Sequence, residues 1–186
     1  MAGLPQDAVL IVVDMQRAID HPSWGRRNNP ALEANVAALL ARWRRDGRPI
    51  IHVRHLSREP NSTYRPGQSG ADFKPEALPL PGETVVVKHT NSAFIGTDLE
   101  ERLRRAGQNT LIITGVITNN SVEATARMAG NLGFAAVVVS DGTATVDRAD
   151  YNGKHHPAED VHAMSLANLQ GEYARIMSTA EILAAG

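Results

Sequence analysis

Residues 110–127 of this chain have the sequence TLIITGVITNNSVEATAR. The apolar run from Leu111 to Ile113 is typical of a buried strand, and Gly115 then breaks the pattern with a tight turn. From Asn119 onward, small and helix-forming residues predict the start of a helix. Ser121 falls in the first turn of that helix, where free backbone N–H groups and the helix dipole stabilise a developing anion. We therefore expect a reaction site at this strand-to-helix turn.

Composition limits the classes of protein that this chain can belong to. Its 186 residues are enough for one hydrophobic core, so we expect a single domain over 1–186. The net charge is −1 and Lys and Arg are scattered, which predicts neither nucleic acid nor a membrane surface as a partner. No apolar run reaches membrane-spanning length and no secretory signal is visible, so a cytoplasmic location is expected. The chain has no cysteine, which excludes disulfides and thiolate metal sites.

Strand-like and helix-like segments alternate along the chain. The predicted strands cover 8–13, 49–53, 84–87, 111–114, 135–139 and 174–177, and the predicted helices cover 30–45, 98–106, 119–132, 157–169 and 179–184. A capping box from Thr97 to Glu100 is expected to start the second helix, and 140–145 is expected to be a loop. This alternation predicts an α/β fold, a three-layer α/β/α sandwich with a mostly parallel, roughly six-stranded central sheet.

The segment from about 55 to 82 is rich in Pro, Gly, Ser and Asn and shows no period. Long segments of this kind in compact domains are usually functional. We interpret it as a lid over the site or as a subunit-contact loop.

Three polar residues lie at the predicted carboxyl ends of strands, where open α/β sheets bind their ligands. They are Asp14, Lys88 and Ser121. If strands one, three and four are neighbours, the three side chains converge into a nucleophile site. Asp14 then takes a proton from the nucleophile and passes it to a leaving group, while Lys88 keeps Asp14 ionised and lowers the pKa of the nucleophile.

Each of the three residues also has a purely structural interpretation. An Asp after a strand is commonly a loop cap, a Lys at a strand end is commonly a solvated charge, and a Ser in a first helical turn is commonly a helix cap. There is also a chemical objection, because such a site suits a thiol with a reference pKa of about 8.5. A serine hydroxyl is far less acidic, and Asp14 is a weak base for it without a histidine partner.

Further candidates for the site lie in loops expected above the strand ends. The predicted apolar walls are Trp24, Phe73 and Phe94, and the predicted polar substrate contacts are Gln16, His89 and Asn119. Plain packing is the alternative for the three aromatic residues. Tyr64 and Arg65 are candidates for a carboxylate clamp within the 55–82 segment.

The whole chain resembles the isochorismatase-like cysteine hydrolase superfamily. The resemblance lies in six segments in a fixed order: VVDMQ at 12–16, IHVR at 51–54, VK at 87–88, NSAF at 91–94, LIITGVIT at 111–118 and VEATA at 122–126. It is greatest to the branch that acts on small amides or carbamoyl groups, such as carbamoylsarcosine amidases and nicotinamidases. It implies a Rossmann-like fold, a small-molecule substrate, cleavage of a C–N bond, and a homo-oligomer, either a dimer or a tetramer.

The resemblance also implies roles for individual residues. Asp14 is then the general base and acid, Lys88 is its electrostatic partner, and residue 121 is the nucleophile. A cis peptide bond is implied between Val116 and Ile117, and the N–H groups of Ile117 and Ser121 are implied to form the oxyanion hole.

The residue at position 121 departs from the family pattern, since the family nucleophile is a cysteine. Three explanations stay open: a Cys→Ser substitution made to trap a ligand, a natural isochorismatase-type enzyme that cleaves a vinyl ether with Asp14 and Lys88 alone, and an inactive member. A non-catalytic oligomeric binding protein is the alternative outside enzymes.

No metal and no other cofactor is predicted. The nicotinamidase branch binds a metal through an Asp and histidines after the second strand, but His52 and His55 lie three apart on a strand and point to opposite faces. His155, His156 and His162 are interpreted as surface or subunit-contact residues. No Gly-x-Gly-x-x-Gly motif follows the first strand, which argues against a dinucleotide.

Overall fold

A computed structural model describes residues 4–185. The strands within that range are β1 (Val9–Val13), β2 (Ile50–His55), β3 (Thr84–Lys88), β4 (Thr110–Val116), β5 (Ala135–Ala144), β6 (Arg148–Ala149), β7 (His155–His156) and β8 (Arg175–Met177). Six of them form one sheet in the order β3-β2-β1-β4-β5-β8, with every neighbouring pair parallel. The predicted parallel six-stranded sheet is therefore confirmed. The short strands β6 and β7 pair separately as an antiparallel ribbon.

Helices cover both faces of the sheet. They are α1 (Leu32–Arg45), α2 (Leu99–Arg105), α3 (Glu123–Asn131), α4 (Ala158–Leu169) and α5 (Thr179–Ala184). One buried apolar cluster joins the sheet to α1 and α5, and a second joins the opposite face to α2, α3 and α4. Within 4–185, no helix combines the length and apolarity that crossing a membrane requires.

The central strand β1 shows why the sheet lies between two helical layers. All five of its residues are buried. Val9, Ile11 and Val13 point into the core beneath α2 to α4, whereas Leu10 and Val12 point into the core beneath α1. A continuous apolar run fits this position, because a strand covered on both faces has no solvent side.

The strand β5 is longer than the sequence predicts, and the expected loop over 140–145 is wrong. The register between β4 and β5 shifts after Ile113, so that Val116 pairs with Ala144. The polar end of β5 is held by side chains from outside the sheet, since the Asn29 amide donates to the carbonyls of Ser140 and Thr143. These distant donors satisfy a segment whose composition alone favours a turn.

The predicted capping box at α2 is also wrong. Asp98 takes the cap position, and its side chain makes no capping hydrogen bond. The Thr97 hydroxyl instead accepts from the Leu99 N–H and donates to the Ala93 carbonyl. A capping box forms at α5, between Ser178 and Glu181.

The 55–82 segment is anchored to the carboxyl end of β1. The Arg17 N–H donates to the Asp72 carbonyl, and the Lys74 N–H donates to the Met15 carbonyl. Short 3-10 turns at Ser69–Ala71 and Pro75–Ala77 give it local structure. It thus lies beside the carboxyl end of β1, and both interpretations, a lid and a subunit contact, stay predictions.

Gly115 permits the close contact between β4 and β1 next to the site. It has a φ of 119°, and a Cβ atom there would lie 2.0 Å from the Val13 carbonyl oxygen.

We expect Gly115→Ala to lower the free energy of unfolding by about 4 kcal/mol or more, because it adds a backbone clash to conformational strain. Gly133→Ala is the matched control, since Gly133 also has a positive φ but has open space at the Cβ position. It should cost about 1–2 kcal/mol. Urea denaturation of both variants measures the difference, and equal losses would contradict this role for Gly115.

Candidate active site

Asp14, Lys88 and Ser121 converge in the folded chain. The Lys88 Nζ atom lies 2.7 Å from Asp14 Oδ2 and 3.2 Å from Ser121 Oγ, so the ammonium group bridges the carboxylate and the hydroxyl. All three residues are buried, and Lys88 is completely so. Asp14 follows β1 with a φ of 51°, a left-handed conformation that Asp tolerates better than most residues. Ser121 lies in a π-helical turn, Thr118–Val122, that leads into α3.

The convergence does not depend on the strand neighbours that the sequence analysis assumed. β2 lies between β1 and β3, so the assumption that strands one and three are adjacent is wrong. Strands two places apart are roughly 10 Å from each other. The long Lys88 side chain reaches across β2, and its Nζ atom also contacts the Thr90 carbonyl at 3.1 Å and His55 Nδ1 at 3.4 Å.

Burial makes the Asp14 carboxylate ready to take up a proton. Desolvation raises its pKa above the usual value, and the Lys88 charge and the nearby Ser121 hydroxyl only partly oppose that rise. The Oδ1 atom has no hydrogen-bond partner within residues 4–185. A buried, unpartnered carboxylate oxygen beside a hydroxyl suits a group that exchanges protons with a bound molecule.

His55 enters the site as a neutral group. Its burial, helped by the charge of Lys88, lowers its pKa to about 4. The ring is therefore uncharged at neutral pH and adds no second cation beside Lys88. The sequence analysis considered His55 only as a metal ligand and missed this position.

The peptide bond between Val116 and Ile117 is cis, at the position that the family resemblance implies. The Ile117 carbonyl accepts hydrogen bonds from the N–H groups of Asn120 and Val122. The turn thus runs directly from the end of β4 to Ser121. The oxyanion-hole role of the Ile117 and Ser121 N–H groups stays a prediction.

An aromatic wall extends from the site toward the surface. The Tyr64 ring contacts the His55 ring edge-on at a centroid distance of 5.5 Å, and the Trp24 ring contacts Tyr64 in the same way at 6.2 Å. Trp24 Nε1 donates to the Thr63 hydroxyl, which fixes the indole. Burial and the negative charge of Asp14 raise the pKa of Tyr64 well above its usual value, so its hydroxyl stays protonated. Trp24 thus reaches the neighbourhood of His55 through Tyr64. Its role as an apolar wall of the substrate site and the carboxylate clamp of Tyr64 and Arg65 stay predictions.

The other predicted substrate contacts lie elsewhere or are already occupied. The Gln16 amide donates to the carbonyls of His55 and Ala71 and accepts from the His55 N–H, so it anchors the 55–82 segment to β2. Phe73 packs on His52 and Arg54, and Phe94 stacks on Phe134 in the core. His89 is exposed and bonds the Leu56 carbonyl, and Asn119 accepts from the Thr145 hydroxyl. These contacts give Gln16, Phe73 and Phe94 structural roles, and the substrate contacts predicted for all five residues stay predictions.

The histidines do not assemble into a metal centre. Residues 4–185 hold no group of three or more His, Cys, Asp or Glu side chains arranged to bind a metal ion. His52 bonds Glu83 on the α1 side of β2, away from His55. His162 is half-buried, and its ring bonds the buried Thr118 hydroxyl. Its interpretation as a surface or subunit-contact residue stays a prediction. The absence of a catalytic metal stays a prediction.

Comparison with known proteins identifies the family. The Isochorismatase domain matches residues 8–181. The chain belongs to the isochorismatase family. A hydrolase of this family from Chromobacterium violaceum is 57% identical in sequence, with a TM-score of 0.96 and coverage of 100% of this chain and 96% of that one. The isochorismatase family protein YrdC of Bacillus subtilis is 38% identical over 97% of this chain and 96% of its own length.

A more distant structure carries the name of the cysteine branch. A cysteine hydrolase from Pseudomonas syringae is 25% identical, with a TM-score of 0.87 over 97% of this chain and 92% of that one. The chain is thus an isochorismatase-like hydrolase. Its fold is shared by a protein named as an isochorismatase-family hydrolase and by one named as a cysteine hydrolase.

The buried Lys88–Asp14 pair makes a prediction about stability. We expect Lys88→Met to lower the free energy of unfolding at pH 7 by about 3–5 kcal/mol, because it leaves the Asp14 charge buried and uncompensated. The Asp14→Asn/Lys88→Met double variant should recover most of that loss. Arg105→Met, which removes an exposed ion pair with Glu101, is the control and should cost less than about 1 kcal/mol.

The cost of Lys88→Met should also depend on pH. Without Lys88, the pKa of Asp14 in the folded state lies still further above its pKa in the unfolded chain. The folded variant therefore takes up a proton as pH falls, and the free energy that Lys88→Met costs becomes smaller. Urea titrations between pH 7 and pH 5 measure this trend. A cost that stays constant over this range would mean that Asp14 carries no buried charge.

Proposed function

We propose that this hydrolase cleaves a C–N bond in a small amide or carbamoyl substrate, with Ser121 as the nucleophile. One observation carries the proposal: Lys88 Nζ lies within 2.7 Å of Asp14 Oδ2 and within 3.2 Å of Ser121 Oγ, in a buried site at a helix start. A nucleophile that a cation bridges to a carboxylate able to take its proton has the groups that covalent hydrolysis needs. The family resemblance assigns the same roles to these three positions.

The reaction proceeds in two halves. Ser121 Oγ attacks the substrate carbonyl carbon and gives its proton to Asp14, while the N–H groups of Ile117 and Ser121 stabilise the oxyanion. When the oxyanion collapses, the C–N bond breaks and Asp14 returns the proton to the departing nitrogen as ammonia or an amine. Water then attacks the acyl-serine ester, which releases the carboxylic or carbamic acid and restores Ser121.

The surroundings favour a small substrate. Asp14 and Ser121 are both less than a tenth exposed, so the entrance to the triad is narrow. Tyr64 and His55 supply uncharged aromatic surface beside Lys88. Such a wall accommodates a compact planar group such as an amide. We also expect, from the sequence and the family resemblance, a cytoplasmic homo-oligomer that acts on a metabolite.

The serine limits the rate of this chemistry. A hydroxyl is a weaker nucleophile than a thiolate, and Asp14 alone is a poor base for it. We expect Ser121→Cys to raise ammonia release from a panel of small amides and carbamoyl compounds by a factor of about 100 or more, because the thiol ionises near neutral pH. Ser121→Ala is the matched control and should abolish the reaction. Activity in Ser121→Ala equal to that of the parent chain would refute the nucleophile role.

A second chemistry is favoured by the hydroxyl at position 121 together with the proton affinity of Asp14. A carboxyl group with a raised pKa and an unpartnered Oδ1 atom is suited to protonate a substrate. In vinyl ether hydrolysis, Asp14 protonates the terminal vinyl carbon, water adds to the oxocarbenium ion, and the hemiketal collapses to an alcohol and a ketone. This chemistry needs no nucleophile at position 121.

The two candidates predict opposite results for the same pair of variants. With isochorismate as substrate, vinyl ether hydrolysis predicts that Ser121→Ala keeps its activity and that Asp14→Asn loses about 100-fold or more, the range of a lost general acid. The rate should also fall as pH rises through the Asp14 pKa, because the acid form is consumed. Amide hydrolysis predicts no isochorismate turnover. A binding protein without catalysis predicts that neither variant changes turnover or ligand binding.

A further inference from the structure

A groove lies at the end of the sheet opposite to the triad. It has a volume of about 850 Å³ and opens where β2 and β3 begin, between the carboxyl end of α1 and helix α2. Its apolar lining comes from Pro49, Ile50, Ile51, Leu80 and Pro81, and its charged lining comes from Arg44, Arg48, Arg102, Arg105 and Glu83. The triad lies at the far ends of the same strands, so the groove is separate from the site described above.

Arg48 is buried in this groove without an acceptor. Its side chain is only 5% exposed, and its Nε atom has no hydrogen-bond partner within residues 4–185. The nearest carboxylate, Asp46, lies 3.9 Å from Nε, beyond hydrogen-bonding distance, and bonds Arg42 and Arg45 instead. Asp46 thus compensates part of the Arg48 charge, but the Nε–H group stays without an acceptor, and a buried donor without an acceptor is destabilising.

The packing holds the Arg48 side chain in this position. Its guanidinium lies over the ring of Trp43 at 5.5 Å from the centroid, and its backbone N–H donates to the Trp43 carbonyl. Trp43 is itself buried and fixed by a hydrogen bond to the Ala8 carbonyl. The Arg48 guanidinium thus lies against the buried Trp43 ring and lines the groove from there.

The other charged residues that line the groove are mostly arginines. Arg44 is paired with Glu83, the one acidic residue among the lining residues. Arg102 and Arg105 pair with Asp98 and Glu101 on their own helix, in exposed contacts that contribute little and exchange easily. Four arginines against one glutamate stand out in a chain whose net charge is −1.

We propose that this groove binds a small organic anion that carries a phosphate or carboxylate group, with Arg48 as the anchoring residue. Guanidinium groups bind both kinds of oxyanion through paired hydrogen bonds. Arg102 and Arg105 add charge at the rim, and the apolar lining contacts the organic part of the ligand. The missing acceptor of Arg48 is then an oxyanion oxygen of this ligand.

Calorimetric titration of the full chain at low ionic strength tests the proposal, with pyrophosphate and citrate as probes. We expect saturable binding, and we expect Arg48→Met to weaken it by about tenfold or more because it removes the charge-assisted hydrogen bonds. Binding of pyrophosphate alone assigns a phosphate ligand, and binding of citrate alone assigns a carboxylate ligand. Arg127→Met is the control, because Arg127 is a paired arginine outside the groove, and it should bind like the parent chain.

Two further measurements guard against a misfolded variant. The Arg102→Met/Arg105→Met variant alters only exposed side chains and should weaken binding by a smaller factor. Arg48→Met should unfold at a temperature equal to or above that of the parent chain without anion, and it should lose the rise in Tm that pyrophosphate or citrate gives the parent chain.

Three results would overturn the proposal. The first is the absence of saturable binding for both probes. The second is equal affinity in Arg48→Met and the parent chain. The third is a change in the solution mass of the particle on Arg48→Met, measured by light scattering, because the groove would then be a contact between copies of this chain.

Discussion

The ion pair between Lys88 and Asp14 governs the organisation of this protein. Its two members come from strands separated by β2, and Lys88 is completely buried. Burying an ammonium group is favourable only if acceptors surround it, and Asp14, Ser121 and the Thr90 carbonyl provide them. The contact of Lys88 with Asp14 and Ser121 depends on three features: the order of the strands, the left-handed backbone at Asp14 and the turn at Ser121. The same arrangement leaves one Asp14 oxygen without a hydrogen-bond partner within residues 4–185, and the proposed function assigns proton transfer to this carboxyl group.

Much of the fold could be predicted from local sequence. The apolar runs give the strands, and α5 lies at its predicted bounds because its helical pattern follows a real cap at Ser178. The positions of Asp14, Lys88 and Ser121 follow from the rule that parallel strands present their carboxyl ends at one edge. The spatial order of the strands in the sheet could not be predicted in this way, because it depends on the crossover connections and not on the local pattern of apolar residues. The convergence was nevertheless correct, since a lysine side chain is long enough to cross one strand.

The parts that local sequence could not predict are those that depend on distant partners. The polar end of β5 resembles a loop, but Asn29 satisfies its carbonyls from more than a hundred residues away. The sequence does not show that the Gln16 amide makes three hydrogen bonds that tie the 55–82 segment to β2. His55 and Tyr64 lie beside Lys88 only because β2 and the 55–82 segment pack next to its side chain. The sequence likewise does not show that Arg48 Nε lacks an acceptor, since only the fold shows which buried donors are left without one.

The central claim is that Ser121 forms a covalent intermediate, and peptide mass spectrometry of the acid-quenched protein tests it most directly. The chain is mixed with small amide and carbamoyl compounds, quenched in acid and digested. The account predicts a mass increase equal to the acyl or carbamoyl group, located on the peptide that contains Ser121 and absent from Ser121→Ala. Substrate turnover without any adduct at Ser121, at the same rate in Ser121→Ala, would contradict it.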